Sequence, residues 1–317
     1  MFRFKSALAL SGGSARALSH LGVIQELDRR NLKFDLIVGT SMGAVIGGLY
    51  ACYEDSARVL ERMQNVFESE LFLKTASSAV DENPVFLGPD GFFNRFMRLF
   101  RKGVFLTHTM LRMELVTEDL YDELLAMLMP DVLIEDLPVR FAAVAMDLLT
   151  GEEIVLTKGS LRRAVAASSS IPGMFPVIEI DGRMLVDGGW ADNLPVAPAV
   201  AMGAHFVLGV DATLDIPGIA TYPKSAMEIL FRCNEITRIL LTRHLKTAAD
   251  VLIVPAVDNI FWADFKSLDL CLAAGRKAFD QNSSTISKQM LLRRFLTLEG
   301  AIHPGRIGKW GHHFLIL

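Results

Sequence analysis

The sequence predicts an α/β protein in three layers, with helices on either side of a mostly parallel central sheet. Short apolar runs alternate with helical patterns through much of the chain, the rhythm of parallel strands joined by crossover helices. Two of those runs stop at bare glycine turns that open directly into helices. With 317 residues, 51% of them hydrophobic, the chain can bury a core of the size such a sheet needs.

Taken in order, residues 4–10 (FKSALAL) read as the first strand, halted by Gly12 and Gly13, and residues 16–30 as a helix. Residues 35–38 (DLIV) form the second strand, followed by a Gly/Ala-rich helix over 42–52 and helical spacing over 54–69. The uncharged run 36–53 approaches the length of a membrane span, but Gly39-Thr40-Ser41 breaks it. A polar break facing lipid would leave backbone groups unsatisfied, so a buried strand, turn and helix are expected instead. Further strands are expected at 139–146, 153–156, 184–186, 205–211 and 251–254, with helices at 161–167, 196–202 and 224–247. Ligands of such sheets bind beyond the carboxyl ends of the strands, where both glycine turns fall.

Residues 70–108 depart from this rhythm, with Asn83-Pro84, Gly88-Pro89 and Asp90-Gly91 ahead of FFNRFMRLFRKGVF. On a helical wheel over 92–104, Phe92, Phe93, Phe96, Met97, Leu99, Phe100 and Val104 share one arc of roughly 160°. Arg95, Arg98, Arg101 and Lys102 fill the other side. This is either a basic amphipathic helix that rests on a membrane surface or lids an apolar site, or a helix packed on the core with solvated charges. One domain over 1–300 is expected, with the insertion at about 70–108 and an irregular tail over 301–317 ending in FLIL.

A formal net charge of −4 gives no pull toward nucleic acid. Three scattered cysteines, Cys52, Cys233 and Cys271, fit reduced thiols in a cytoplasmic protein better than disulfides or a metal site. Arg3, Lys5 and the apolar residues after them faintly resemble a signal peptide, but the apolar part falls short of the usual ~7–15 residues. No metal constellation is visible, so an enzyme without metal or cofactor is expected, one that could self-associate.

Residues 39–43 spell GTSMG, a G-x-S-x-G. The pattern alone says little, but here a strand precedes it and a helix follows, the arrangement of a nucleophile elbow centred on Ser41, with Gly39 and Gly43 leaving room for the turn. A serine hydroxyl needs a base. Seven histidines are present, His20, His108, His205, His244, His303, His312 and His313, and none lies in a convincing setting. Asp187, in LVDGG, follows a short apolar strand and is thereby expected at the carboxyl edge; the plainer reading is an Asp-Gly-Gly turn without chemistry. The first glycine turn, SGGSAR, lacks both the dinucleotide fingerprint and the Lys-Ser/Thr ending of a P-loop, but its glycines and helix start suit a negative charge.

GG-x-x-R near the start, GTSMGA about thirty residues on and DGG well downstream resemble the motif set of the patatin-like phospholipase family. FAAVAMDLLTGEEIVL and ASSSIPGMFPVIEIDGRMLVDGG resemble it too, so the likeness covers most of residues 5–212. The resemblance implies a patatin-like fold and a serine acyl hydrolase of phospholipid, lysophospholipid or related fatty esters. It implies Ser41 as nucleophile, Asp187 as base, and an oxyanion hole from Gly12, Gly13, Ser14, Ala15 and Arg16. Arg16 would order that loop or add positive charge, against the alternative of a surface arginine. Ile171, Met174 and Phe175 would line an acyl pocket, against a plain core-packing loop. Ser14 stands where a third glycine is common and Ala17 where glycine often follows the basic residue. Those departures keep open a fold retained for regulation or partner binding with weak or no hydrolysis. A Ser-His-Asp α/β-hydrolase is the other alternative, disfavoured because only one clear strand precedes the strand into the elbow.

Overall fold

A computed structural model describes residues 4–72, 116–215, 223, 226–298 and 314–317. In chain order the elements are β1 (Ser6–Leu10), a 3-10 turn (Ser14–Leu18), α1 (Ser19–Arg29), β2 (Leu36–Thr40), α2 (Met42–Tyr53), α3 (Ser56–Phe67), α4 (Glu118–Leu128) and β3 (Arg140–Asp147). They continue with β4 (Glu153–Leu156), α5 (Leu161–Ser169), β5 (Ile178–Ile180), β6 (Arg183–Asp187), α6 (Val196–Ala201), β7 (Phe206–Val210), α7 (Ala226–Leu245), β8 (Val251–Ile253), α8 (Leu268–Leu298) and β9 (Phe314–Ile316).

The sheet runs β5-β6-β3-β2-β1-β7-β8, with β4 on β3 and β9 on β4. Its centre, from β3 through β2, β1 and β7 to β8, is parallel throughout. β1 is buried along its whole length, which suits a central parallel strand covered on both faces. Its side chains alternate: Leu8 and Leu10 join the core shared with α1, α2 and α5, whereas Ala7 and Ala9 face Val196 and Ala199 of α6. Helices thus cover both faces, as the three-layer expectation required.

β3 organises the functional edge. Its residues Ala143 to Met146 pair with β4 on one side. On the other side β2 ends with Thr40 opposite Val144, and β6, running antiparallel, ends with Asp187 opposite Ala145. β2 and β6 therefore meet nose to nose along one edge of β3. The sequence places Asp187 at the carboxyl edge simply because it follows a short apolar strand. The structure brings it there on an antiparallel strand, because β6 enters from beyond the sheet and runs back toward it.

The helix expected over 16–30 is divided, a 3-10 turn serving until Ser19. The expectations assigned no element to α4 or to the 31-residue α8. α8 lies along α1, with Cys271 Sγ donating to Ala15 O at 3.3 Å and Arg276 Nη1 to Gln25 Oε1 at 2.8 Å. The insertion and its amphipathic stretch over 92–104 lie outside the described residues. Of the tail expected to be irregular, Phe314–Ile316 form a strand parallel to β4. Among the described residues no helix is long and apolar enough to cross a membrane.

Candidate active site

Ser41 sits between β2 and α2 with φ 56° and ψ −126°, a conformation foreign to L-residues outside such turns and costing about 1–3 kcal/mol. The turn is this tight because α2 starts against β1 and β2. A β-carbon on Gly43 would strike the Leu10 carbonyl, and one on Gly39 the Gly43 carbonyl. The strain holds the hydroxyl out from the sheet edge, half-buried.

Ser41 Oγ donates to Asp187 Oδ2 at 2.6 Å. The other carboxylate oxygen, Oδ1, accepts the Gly189 N–H at 2.8 Å. Asp187 is only 3% exposed, and burial pushes its carboxyl up to about 6, against the pull of the Ser41 and Gly189 hydrogen bonds and of the Arg238 charge. A carboxylate so poised takes up and returns a proton near neutral pH.

The loop after β1 is more committed than the sequence suggested. The Gly12 N–H donates to Asn193 O at 3.1 Å, the Ala15 N–H to Trp262 O at 2.8 Å and the Arg16 N–H to Gly13 O at 3.2 Å. Among the described residues the amides of Gly13 and Ser14 have no acceptor. Both sit in unusual backbone conformations, Gly13 at φ 152° and Ser14 at φ 52° in the left-handed region. Of the five residues expected to donate, two thus hold free N–H groups. Arg16 is no surface arginine: it is 6% exposed, its Nε lacks a partner among the described residues, and burial lowers its pKa.

Several residues that hold this arrangement escaped the sequence reading. Ser168 Oγ accepts the Ser41 N–H at 3.0 Å and donates to Val144 O at 2.6 Å. Two residues on, Ser170 O accepts the Asp187 N–H at 2.9 Å. The serines of ASSSIPG thereby brace both members of the pair. Thr40 Oγ1 donates to Asp192 O at 2.9 Å, tying β2 to the loop after Asp187. Ile171 and Met174 are half-buried nearby, and Phe175 stacks on Tyr121 with ring centres 4.6 Å apart.

The histidines described near the sheet are engaged elsewhere. His20 Nε2 lies 2.8 Å from Ser11 O beneath the loop, and burial pushes its ring down to about 4. His205 Nδ1 accepts the Lys5 N–H at 3.0 Å, at the amino end of β7 and so at the opposite edge from Ser41.

A strained serine at a strand-to-helix turn is thus bonded to a buried aspartate, and the glycine loop after β1 carries two amides without an acceptor among the described residues. The sequence profile of the patatin-like phospholipases matches residues 8–200, and the chain belongs to that family. It is 34% identical over 204 residues to an uncharacterized NTE family protein of Mycobacterium tuberculosis, covering 64% of this chain and 48% of that protein. It is 31% identical over 204 residues to lysophospholipase NTE1 of Candida glabrata, covering 64% of this chain and 10% of the other. The patatin-like phospholipase domain-containing protein 6 of Mus musculus is 31% identical over 222 residues, 69% of this chain and 14% of its own length. The chain thus spans about half the length of the mycobacterial relative and far less of the others. Among solved structures, VipD from Legionella pneumophila aligns with 88% of this chain and 66% of its own, at a TM-score of 0.43 and 16% identity.

Proposed function

We propose that the protein is a serine acyl hydrolase of phospholipids, lysophospholipids or related fatty esters, working through a Ser41–Asp187 dyad. The observation that carries this is the 2.6 Å contact between Ser41 Oγ and Asp187 Oδ2, made by a buried carboxylate with no intervening ring. Asp187 takes the Ser41 proton as Oγ bonds to the ester carbonyl carbon. The resulting oxyanion is held by the N–H groups of Gly13 and Ser14, which are fixed before the reaction begins. Collapse breaks the ester bond, the leaving alcohol receives the proton from Asp187, and the acyl group stays on Ser41. Asp187 then accepts a proton from water, whose oxygen attacks the acyl carbon, and the carboxylic acid departs as Ser41 regains its proton.

Ile171 and Met174, close to the Ser170 brace, and the Phe175–Tyr121 stack supply apolar surface suited to an acyl chain. A panel from short nitrophenyl esters to lysophospholipids and diacyl phospholipids, run on wild type and Ser41→Ala, tests the assignment. Wild type should hydrolyse at least one lipid ester, and a fluorophosphonate probe should label it. Ser41→Ala should do neither, and equal hydrolysis by both proteins would overturn the assignment.

A further inference from the structure

α7 (Ala226–Leu245) lies beyond residues 8–200, the stretch that the family profile matches, yet it reaches the turn that follows Asp187. Trp190 Nε1 donates to Asn234 Oδ1 on this helix at 3.2 Å, and Arg238 Cζ stands 5.8 Å from the centre of the Trp190 ring. The Arg238 guanidinium is held on one side by Glu235, with Nη2 at 2.8 Å and 3.0 Å from its carboxylate oxygens and Nε at 3.2 Å. Its remaining nitrogen, Nη1, reaches inward to Asn193 Oδ1 at 3.5 Å. Asn193 is a junction, for its carbonyl accepts the Gly12 N–H at 3.1 Å and its Nδ2 donates to Thr213 Oγ1 at 2.7 Å beyond β7.

Gly189 marks what lies between the cation and the base. A β-carbon there would stand 3.1 Å from Asp187 Oδ1 and 3.5 Å from Arg238 Nη1. Guanidinium and carboxylate therefore face one another across a position that carries no side chain. Only 15% of the Arg238 side chain is exposed, so solvent screens the pair weakly.

We propose that Arg238 is a positioning residue for the acyl-transfer step: it ties the turn that carries Asp187 to the Gly12–Ser14 loop through Asn193, and it places a fixed positive charge opposite Asp187. The proposal rests on the Ser41–Asp187 reading above. Burial works against the ionised base that the reaction needs, and Arg238 opposes that effect. The other titratable groups about this turn are Glu235 beside Arg238, Tyr121 on α4, Arg16 after β1 and Asp192 in the same loop. Tyr121 is occupied with Ser169 Oγ at 3.0 Å and Ala166 O at 3.1 Å. Of these groups, Arg238 is the charge that acts on Asp187.

The test is the pH dependence of kcat/KM for a soluble nitrophenyl ester with wild type, Arg238→Lys, Arg238→Met and Glu235→Gln, each first checked for folding by circular dichroism. Without the cation the base gains protons more readily, so Arg238→Met should move the acid limb up by about 0.5–1 pH unit and lower kcat about tenfold or more. Arg238→Lys should restore the limb but not the full kcat, because an ammonium lacks the fork that spans Glu235 and Asn193. Glu235→Gln should move the limb down, which keeps the proposal testable if Arg238→Met fails to fold. An unmoved limb in Arg238→Met and Glu235→Gln, or Lys and Met variants equally slow at wild-type limb position, would overturn it. Ser41→Ala separates the two claims: activity surviving there defeats the dyad itself, whereas an inactive Ser41→Ala with an unmoved limb defeats only the role of Arg238.

Discussion

Replacing Asp187 with asparagine should cripple hydrolysis and stabilise the protein at the same time. Burial raises this carboxyl from 3.8 to about 6, so the folded chain holds the proton more tightly than the unfolded chain does. The ionised form therefore costs stability: nothing below 3.8, an increasing amount between 3.8 and 6, and the whole penalty above that. At about 1.36 kcal/mol per pK unit, the full cost is near 3 kcal/mol. Asparagine removes the charge but weakens the bonds to Ser41 and Gly189, which returns on the order of 1 kcal/mol. The variant should thus be more stable than wild type by roughly 1–2 kcal/mol at pH 8, and the advantage should shrink to near zero by about pH 4.5. Hydrolysis should fall by about 10²–10⁴, the usual worth of a general base. Urea unfolding at both pH values, with nitrophenyl ester hydrolysis on the same preparations, checks both halves. An Asp187→Asn protein destabilised equally at both pH values, or one that hydrolyses the ester within about tenfold of the wild-type rate, would refute the reasoning.

Gly12→Ala would put a methyl group 2.6 Å from Asn193 Oδ1 and 3.1 Å from Ser41 Cβ, so kcat should drop by about 10²–10³ in steady-state kinetics as the loop is displaced. Ser14→Gly leaves the N–H in place and removes a side chain from the left-handed region at φ 52°; relief and added chain entropy nearly cancel, so thermal denaturation should show a change of under about 1 kcal/mol, with kcat altered less than about threefold. His20, held neutral and pushed down to about 4 from 6.5, withdraws stability as pH falls between those values, by about 3 kcal/mol in full. His20→Gln should flatten that loss in denaturant titrations between pH 7 and 4, and an unchanged slope would count against the assignment.

Much of the fold could be read from the sequence because its parallel strands are short, apolar along most of their length and bounded by glycine or polar turns, as with Ala7–Leu10 and Leu36–Val38. The Ser41 turn could be read for a related reason: a strand that stops at glycine and restarts as a helix has few other geometries. What could not be read is how Asp187 arrives. A strand of five residues carries no mark of its direction, and the antiparallel entry of β6 depends on β3 outrunning β2. Ser168 was hidden because a side-chain-to-backbone bond leaves no periodicity, and Ser170 because it acts through its main-chain carbonyl, which any residue carries. The polar run Asn282-Ser283-Ser284-Thr285 interrupts the apolar spacing of α8, although its neighbour α1 supplies the packing that makes it a helix. Arg238 carried no local signal, since its partners Trp190 and Asn193 lie some forty-five residues earlier.

The placement of β1 between β2 and β7 has a consequence for biosynthesis. Leu8 pairs with Ile37 on one side but with Leu208 on the other, two hundred residues later. A ribosome adding about 5–20 residues each second needs roughly 10–40 s to cover that interval. Throughout it, one flank of the strand that ends in the glycine loop lacks its native neighbour, in a segment apolar enough to stick to other nascent chains. Holding chaperones should therefore matter most to this protein before residue 210 has been translated.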